Sequence, residues 1–185
     1  MTYVTDEERP HLGGYIAGGD PLTTCPDLWD WLVDAHGVRS VIDVGCGEGY
    51  ALQHFRGRGC RVTGVDGIPQ EDPAVWCHDF TEGPWDPPGG EFDLAWCCEF
   101  VEHIEERHIP NYLPALKAAR MVALTHAQPG QQGWHHVNCQ SAAYWKGVLA
   151  AVGYRYEARL TIEARQKAGP PANHFARSGM VFTRA

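Results

Sequence analysis

Glu99-Phe100-Val101-Glu102-His103 sets two carboxylates and an imidazole at spacings of three and four residues. On a helix, positions i, i+3 and i+4 share one face. A helical reading of this segment therefore makes Glu99, Glu102 and His103 converge. Farther along, Gly133-Trp134-His135-His136-Val137-Asn138 offers one or two more imidazoles. Two carboxylates with one or two imidazoles form a mixed oxygen and nitrogen donor set. Such a set suits Mg2+, Mn2+ or Fe2+ better than thiolate-seeking ions. A divalent cation held there would polarise a bound oxygen and lower the pKa of its proton. Without a metal, His103 reads as a general base or a structural residue. Carboxylates near a helix start are favourable in any case, by about 0.3–1 kcal/mol each.

A second group of residues reads as a nucleoside site. Asp43-Val44-Gly45-Cys46-Gly47-Glu48-Gly49 follows an apolar run and precedes a helical one. Glycines let the backbone turn sharply and approach a ligand closely, and a helix start presents free N–H groups. A dinucleotide loop would read GxGxxG; here the third glycine comes one position early and Tyr50 fills the last place. That spacing speaks against a nicotinamide enzyme. Asp66, followed by Gly67, ends the next apolar run, where a carboxylate can accept hydrogen bonds from both ribose hydroxyls. In His78-Asp79-Phe80, Asp79 can accept adenine amino hydrogens beside an apolar wall from Phe80.

The elements that must hold these residues alternate. Thr24 or Asp27 can cap a helix that Gly37 ends near residue 36. Strands are expected at 40–44, 61–65, 74–77, 92–97 and 121–125. Helical runs are expected at 51–56, from about 99 to 118 with a break near Pro110, and at 142–152. Residues 154–162 and 179–183 read as β-rich ends, expected to pair as an antiparallel hairpin with no long helix between them. Alternation of this kind implies a Rossmann-like α/β fold: a mostly parallel seven-stranded sheet, helices on both faces and an antiparallel edge strand. Ligands in such sheets sit beyond the carboxyl ends of the strands, where all the residues above fall. One domain is expected over 1–185. It comprises an irregular arm at 1–23, a cofactor-binding core at 38–126, and an acceptor loop with the sheet's far edge at 127–185.

VIDVGCGEG, GVDG, HDF and FDLAWCCEFVEHI, in that order, resemble the class I S-adenosylmethionine-dependent methyltransferases, strongly over about residues 38–126. The resemblance implies S-adenosylmethionine as cofactor, with Asp43, Gly45, Cys46 and Gly47 at its methionine end. It also implies Asp66 and Gly67 at the ribose, Asp79 and Phe80 at the adenine, and Cys97 beside them. The Glu-x-x-Glu-His element with a later histidine is similar to that of metal-dependent O-methyltransferases, such as the small-RNA 3′-terminal 2′-O-methyltransferases and some quinone-biosynthesis methyltransferases. By that likeness the ligands of Mg2+ or another divalent metal would be Glu99, Glu102, His103 and His136, with His135 the alternative to His136. Glu102 and His103 would carry catalysis.

Composition narrows the acceptor. The chain of 185 residues has a formal net charge of −8, which disfavours nucleic acid, since phosphates need neutralising cations. Residues 154–185 nonetheless carry six Lys+Arg against two Asp+Glu, a surplus that could meet an anionic group or serve solubility. The position after the 92–97 strand reads Cys-Cys-Glu-Phe, not the D/N-P-P-Y/F grip of amino-methylating DNA enzymes. Seven cysteines, an odd number without a CxxC pair, read as reduced thiols. No apolar run reaches the roughly 18 residues of a membrane span, and a cytoplasmic protein is expected. The acceptor pocket is expected from the arm (Tyr15 and its glycines), the 126–140 loop with His126 and Tyr144-Trp145 after it, and residues 165–176, while His11, His36, His54, His108 and His174 read as surface or structural residues. Those polar and aromatic groups suit a sugar, another vicinal diol, or a phenol. The leading expectation is O-methylation of a sugar or polyhydroxyl small molecule or glycan. The alternatives are a metal-free small-molecule O-methyltransferase using His103 as base, and a non-catalytic cofactor-sensing protein.

Overall fold

In a computed structural model, which describes residues 2–170 and 172–185, the chain begins with a small hairpin. β1 (Thr2–Val4) pairs antiparallel with β2 (Tyr15–Ala17). The arm expected to be irregular is thus partly ordered. α1 (Pro26–His36) follows; Pro26 sits at its first position, where a missing N–H costs nothing, and Gly37 ends it in the left-handed region at φ 67°. Then come β3 (Ser40–Val44), α2 (Tyr50–Gly57), β4 (Arg61–Asp66), β5 (Val75–Cys77) and β6 (Phe92–Cys97). The rest is α3 (Ile109–Lys117), β7 (Ala119–Leu124), α4 (Ala142–Ala151), β8 (Tyr154–Tyr156), α5 (Ala158–Lys167), α6 (His174–Ser178) and β9 (Met180–Arg184).

The main sheet has seven strands in the order β5-β4-β3-β6-β7-β9-β8. The pairs from β5 to β7 are parallel, and β9 runs antiparallel to both β7 and β8. Successive side chains of a strand point to opposite faces, and here both faces are covered. Ile42, Ala95, Val122 and Phe182 enter the core under α3 and α4. Their neighbours Val41, Leu94, Ala123 and Val181 enter the core under α1, α2 and α5. That double burial explains why the strands read as continuous apolar runs.

Two expectations are corrected. Residues 154–162 are not one strand. The ladder ends at Tyr156, and α5 and α6 lie between the last two strands. Thr161 and Ala164, spaced as on one helix face, are buried and fix α5 against the sheet. The run after β6 is not a helix broken at Pro110. Residues 101–104 form a turn, Glu106–His108 a single 3-10 turn, and Pro110 lies in the first turn of α3.

Among the described residues, no helix is long and apolar enough to cross a membrane.

Candidate functional site

β3 delivers the glycine loop to the carboxyl edge of the sheet. The loop is locked from within: Gly45 N and Cys46 N both donate to Val65 O, at 2.9 and 3.2 Å, and Gly49 N donates to Cys46 O at 2.9 Å. Gly45 has φ 74°, and a Cβ there would overlap the Phe100 ring, so the position needs glycine for its backbone and its space alike. Gly45→Ala is accordingly expected to lower both the melting temperature and nucleoside affinity, read by thermal shift with and without S-adenosylhomocysteine. Asp66, ending β4, accepts from Gly47 N through Oδ2 at 2.8 Å and from Ile68 N through Oδ1 at 2.9 Å. Burial raises its pKa, and the backbone N–H groups offset part of the rise. The amides of Gly45, Cys46 and Gly47 are therefore engaged inside the protein. What the loop offers a ligand is its shape and the carboxylate of Asp43. That carboxylate is 3% exposed, and its pKa is pushed well above the ordinary range by burial and then by the Asp66 charge. A cation at this point would restore it to the ionised form.

Gly45, Gly47, Asp66, Gly67, Asp79 and Phe80 line a cavity of about 310 Å3. Phe80 is buried, edge-on to Phe100 at 5.5 Å and to Tyr112 at 6.1 Å. Asp79 is more engaged than expected: Oδ1 accepts from Thr81 N and Oγ1, and Oδ2 meets His11 Nε2 at 2.8 Å. Burial alone would raise its pKa, but His11 and Thr81 together hold it below the usual carboxylate value. Cys97 is placed differently from expectation. Strand alternation turns its side chain into the core under α3, away from both cavities, and its neighbour Cys98 faces the cleft instead.

A second cavity, of about 490 Å3, adjoins the first, and Gly45, Gly47, Glu99 and His103 line both. Its floor holds Asp43 and Trp96, and its walls include Tyr15, Tyr50, Trp134 and His136. The turn at 99–104 shapes the junction. Glu99 sits at φ 53°, a region few non-glycine residues adopt. It is held there by Thr125, whose hydroxyl accepts from Glu99 N at 2.7 Å and donates to Oε1 at 2.9 Å. Oε2 meets His174 Nδ1 at 3.1 Å, and His174 Nε2 meets Asp20 Oδ2 at 3.2 Å.

The same turn sends the other two residues elsewhere. Glu102 has no exposed surface and lines neither cavity; its two carboxyl oxygens have no hydrogen-bond partner. Burial, then the neighbouring Glu99 charge, pushes its pKa up to about 8. Its backbone carbonyl accepts from Val137 N at 3.0 Å and Asn138 N at 3.1 Å, tying down the 126–140 loop. His103 faces the junction of the cavities. Its Nδ1 is buried without a partner, and burial, then the His136 and His135 rings, pushes its pKa down to about 4. His136 lies edge-on to it, ring centres 5.0 Å apart, with its own Nδ1 3.3 Å from Gln131 O.

The expected metal set is thus not gathered. Glu99 turns to Thr125 and His174, Glu102 to the core, and His103 with His136 to the cleft. Among the described residues no group of three or more His, Cys, Asp or Glu side chains is placed to hold a metal ion. The physical reason is the turn: convergence needed helical spacing, and the left-handed Glu99 breaks it. Of the two candidate late histidines, His136 lines the cleft and His135 does not. His126 is buried with its Nδ1 toward Ala127 O, Trp145 lies in the core, and Tyr144 bonds Glu106 at 2.8 Å, so none of these three lines the pocket.

His11 and His174, expected as surface or structural residues, both touch site carboxylates. No local signal marks them: His11 lies 68 positions from Asp79 and His174 lies 154 from Asp20. The arm also roofs the cleft. Gly18 N donates to Glu48 Oε1 at 2.9 Å, Tyr50 OH to Gly18 O at 2.8 Å, and Trp134 Nε1 to Pro10 O at 2.9 Å.

Known proteins are similar to this chain in sequence and in fold. The chain is 28% identical over 137 residues to a ubiquinone biosynthesis O-methyltransferase of Aromatoleum aromaticum (strain DSM 19018 / LMG 30748 / EbN1). The match covers 66% of this chain and 55% of that protein, so the chain spans little more than half of that relative's length. The fold is similar to that of magnesium protoporphyrin IX methyltransferase from Synechocystis PCC 6803, solved with bound SAM. The TM-score is 0.59 at 18% identity, over 89% of this chain and 79% of that one. It is also similar to the plantazolicin methyltransferase BpumL solved in complex with a pentazolic desmethylPZN analog and SAH. Here the TM-score is 0.60 at 12% identity, over 91% and 87%. The sequence pattern of the family described as "Methyltransferase domain" matches residues 25–123. With the glycine loop, the strand-end carboxylates and the sheet order in place, the chain belongs to the methyltransferase-domain family and has its class I, Rossmann-like fold.

Proposed function

We propose that the chain transfers a methyl group from S-adenosylmethionine to a hydroxyl of a small molecule, with His103 taking the hydroxyl proton and no chelating metal. The observation that carries this is the place of His103: on the seam of the two cavities, and neutral at physiological pH. Bound S-adenosylmethionine supplies a methyl group on a positively charged sulfur, which an oxygen lone pair can displace. The chain's own residues do the rest. Asp66 accepts from the ribose hydroxyls. Asp43 meets the ammonium of the methionine end. Phe80 covers the base. His103 offers an imidazole lone pair to the acceptor hydroxyl as the new O–C bond forms, and holding oxygen, methyl and sulfur in line is largely positioning.

Oxygen as the acceptor atom is supported by the likeness to a relative named an O-methyltransferase. A small acceptor is supported by the cleft of about 490 Å3. The net charge of −8 favours a metabolite over a nucleic acid. The donor arrangement favours the metal-free route over the vicinal-diol chelate that the sequence alone put first.

His103→Gln keeps a polar side chain but cannot take up a proton. It is expected to lower kcat by about 10²–10³-fold, with the Kd for S-adenosylhomocysteine unchanged. EDTA should leave the wild-type rate intact. The sign of the pH effect follows from the lowered pKa: His103 must be neutral to act and is neutral above about pH 5. kcat/KM should therefore show no acid limb near 6.5, the ordinary histidine value. These are measured by labelled methyl transfer to a panel of small phenols and polyols. Turnover abolished by EDTA and restored by Mg2+ would return the reaction to metal chemistry.

A further inference from the structure

We propose that Arg177 is the anchor for a carboxylate on the acceptor, so that the substrates are hydroxylated aromatic acids; this rests on the transferase reading above. The chain has twelve arginines. Eleven are engaged by a carboxylate or a backbone carbonyl: Arg9, Arg56, Arg58, Arg107, Arg120, Arg155, Arg159 and Arg184 in ion pairs, and Arg39, Arg61 and Arg165 on carbonyls. Among the described residues Arg177 alone has no such partner, and it is the one that lines the cleft.

Its position is built. α6 is capped by Asn173, whose Oδ1 accepts from Phe175 N at 2.9 Å and whose Nδ2 donates to Thr24 O at 3.1 Å. His174 N donates to Leu22 O at 2.9 Å, and Phe175 stacks on Trp96 with ring centres 5.0 Å apart and planes 14° apart. Positions i and i+3 share a helix face, so His174 and Arg177 are presented together. The neighbouring acids do not claim the guanidinium. Asp20 is held by Leu22 N and His174, Glu99 by Thr125 and His174, and Glu48 by Gly18 N and Tyr50. The one cation of the cleft with unspent donors is therefore Arg177, and a guanidinium fork matches a carboxylate in two parallel hydrogen bonds. The same cleft is lined by the aromatic rings of Tyr15, Tyr50, Trp96 and Trp134. Flat walls with one cationic fork suit a ring bearing a carboxylate.

A carboxylate could come from two sources, the acceptor or the methionine end of the cofactor, and the test separates them. Wild type and Arg177→Gln are saturated with S-adenosylhomocysteine and titrated calorimetrically with 4-hydroxybenzoate, phenol and 4-hydroxybenzylamine. These probes share ring and hydroxyl and differ in charge. The wild type should bind 4-hydroxybenzoate about tenfold more tightly than phenol, and the amine most weakly. In R177Q the benzoate should fall to the affinity of phenol, while phenol and S-adenosylhomocysteine bind as in wild type. Arg177→Lys should recover only part of the preference, since it keeps the charge and loses the fork. A wild type that prefers phenol or the amine, or binds no probe, overturns the inference, as does an R177Q that keeps the preference. Loss of S-adenosylhomocysteine affinity in R177Q would assign the guanidinium to the cofactor and overturn it too. Failure of wild type to bind S-adenosylhomocysteine would instead count against the transferase reading itself.

Discussion

Asp66→Ala is expected to weaken S-adenosylhomocysteine binding by about two orders of magnitude or more, while the protein still folds. The carboxylate does two jobs from one place. It holds the glycine loop through Gly47 N and its own turn through Ile68 N, and, as it lines the cavity, the second lone pair of each oxygen can take a ribose hydroxyl. Hydrogen bonds to a charged group contribute about 1.5–3 kcal/mol each, so losing two costs about 3 kcal/mol or more, roughly a hundredfold in Kd. Folding suffers less, because a desolvated carboxylate with a raised pKa is itself costly to bury. Calorimetry with the 2′,3′-dideoxy analogue of S-adenosylhomocysteine separates the two jobs. The wild type should bind that analogue about as weakly as the variant binds the parent, and the variant should not distinguish the two. Equal affinity of wild type and D66A for the parent nucleoside would remove the ribose assignment.

Glu102→Gln should stabilise the protein at neutral pH, contrary to what the Glu-x-x-Glu-His pattern alone would lead one to expect. The carboxyl is fully buried, its oxygens unpartnered, and its pKa raised from 4.5 to about 8. With a folded pKa above the unfolded one, the folded state holds the proton more tightly. Stability is then fully present below about pH 4.5 and declines as pH rises toward 8. By pH 7 part of that stability is gone. An uncharged amide of the same shape avoids the loss. E102Q is therefore expected to melt several degrees higher at pH 7, with the gain shrinking to nothing near pH 4.5. Calorimetric scans at several pH values check this. A variant less stable than wild type at pH 7 would mean that Glu102 is ionised and paired in the folded protein, as a ligand would be.

The parts of the fold that local chemistry dictates were legible in the residues. Ser40–Val44 and Phe92–Cys97 are apolar enough to be recognised as buried strands, and their observed bounds match. Gly37 ends α1 because only a residue easily left-handed does so. Asp43, Gly45, Gly47, Asp66, Asp79 and Phe80 lie where strand ends had to put them, since the loop and the carboxylates are fixed by their own strands. The rest was set by contacts between distant segments. Thr125, just past the end of β7, holds Glu99 left-handed and turns an expected helix into a turn. That one contact separates Glu99, Glu102 and His103. Residues 158–167 carry few apolar side chains, and their helical period shows only in small buried residues, Thr161 and Ala164. His11, His174 and Arg177 belong to the site by folding back onto it, which no spacing announces.

The place of β9 has a consequence for how the molecule is made. It follows β8 in the chain yet lies between β7 and β8 in the sheet. While a nascent chain emerges, β8 has no neighbour to pair with, and a slot stays open beside β7. The segment that fills the slot brings α6 immediately ahead of it, and with α6 come the imidazole that reaches Glu99 and the guanidinium at the cleft. Filling the slot and delivering Arg177 are thus tied together, and a chain not yet past α6 carries the glycine loop and His103 without that guanidinium.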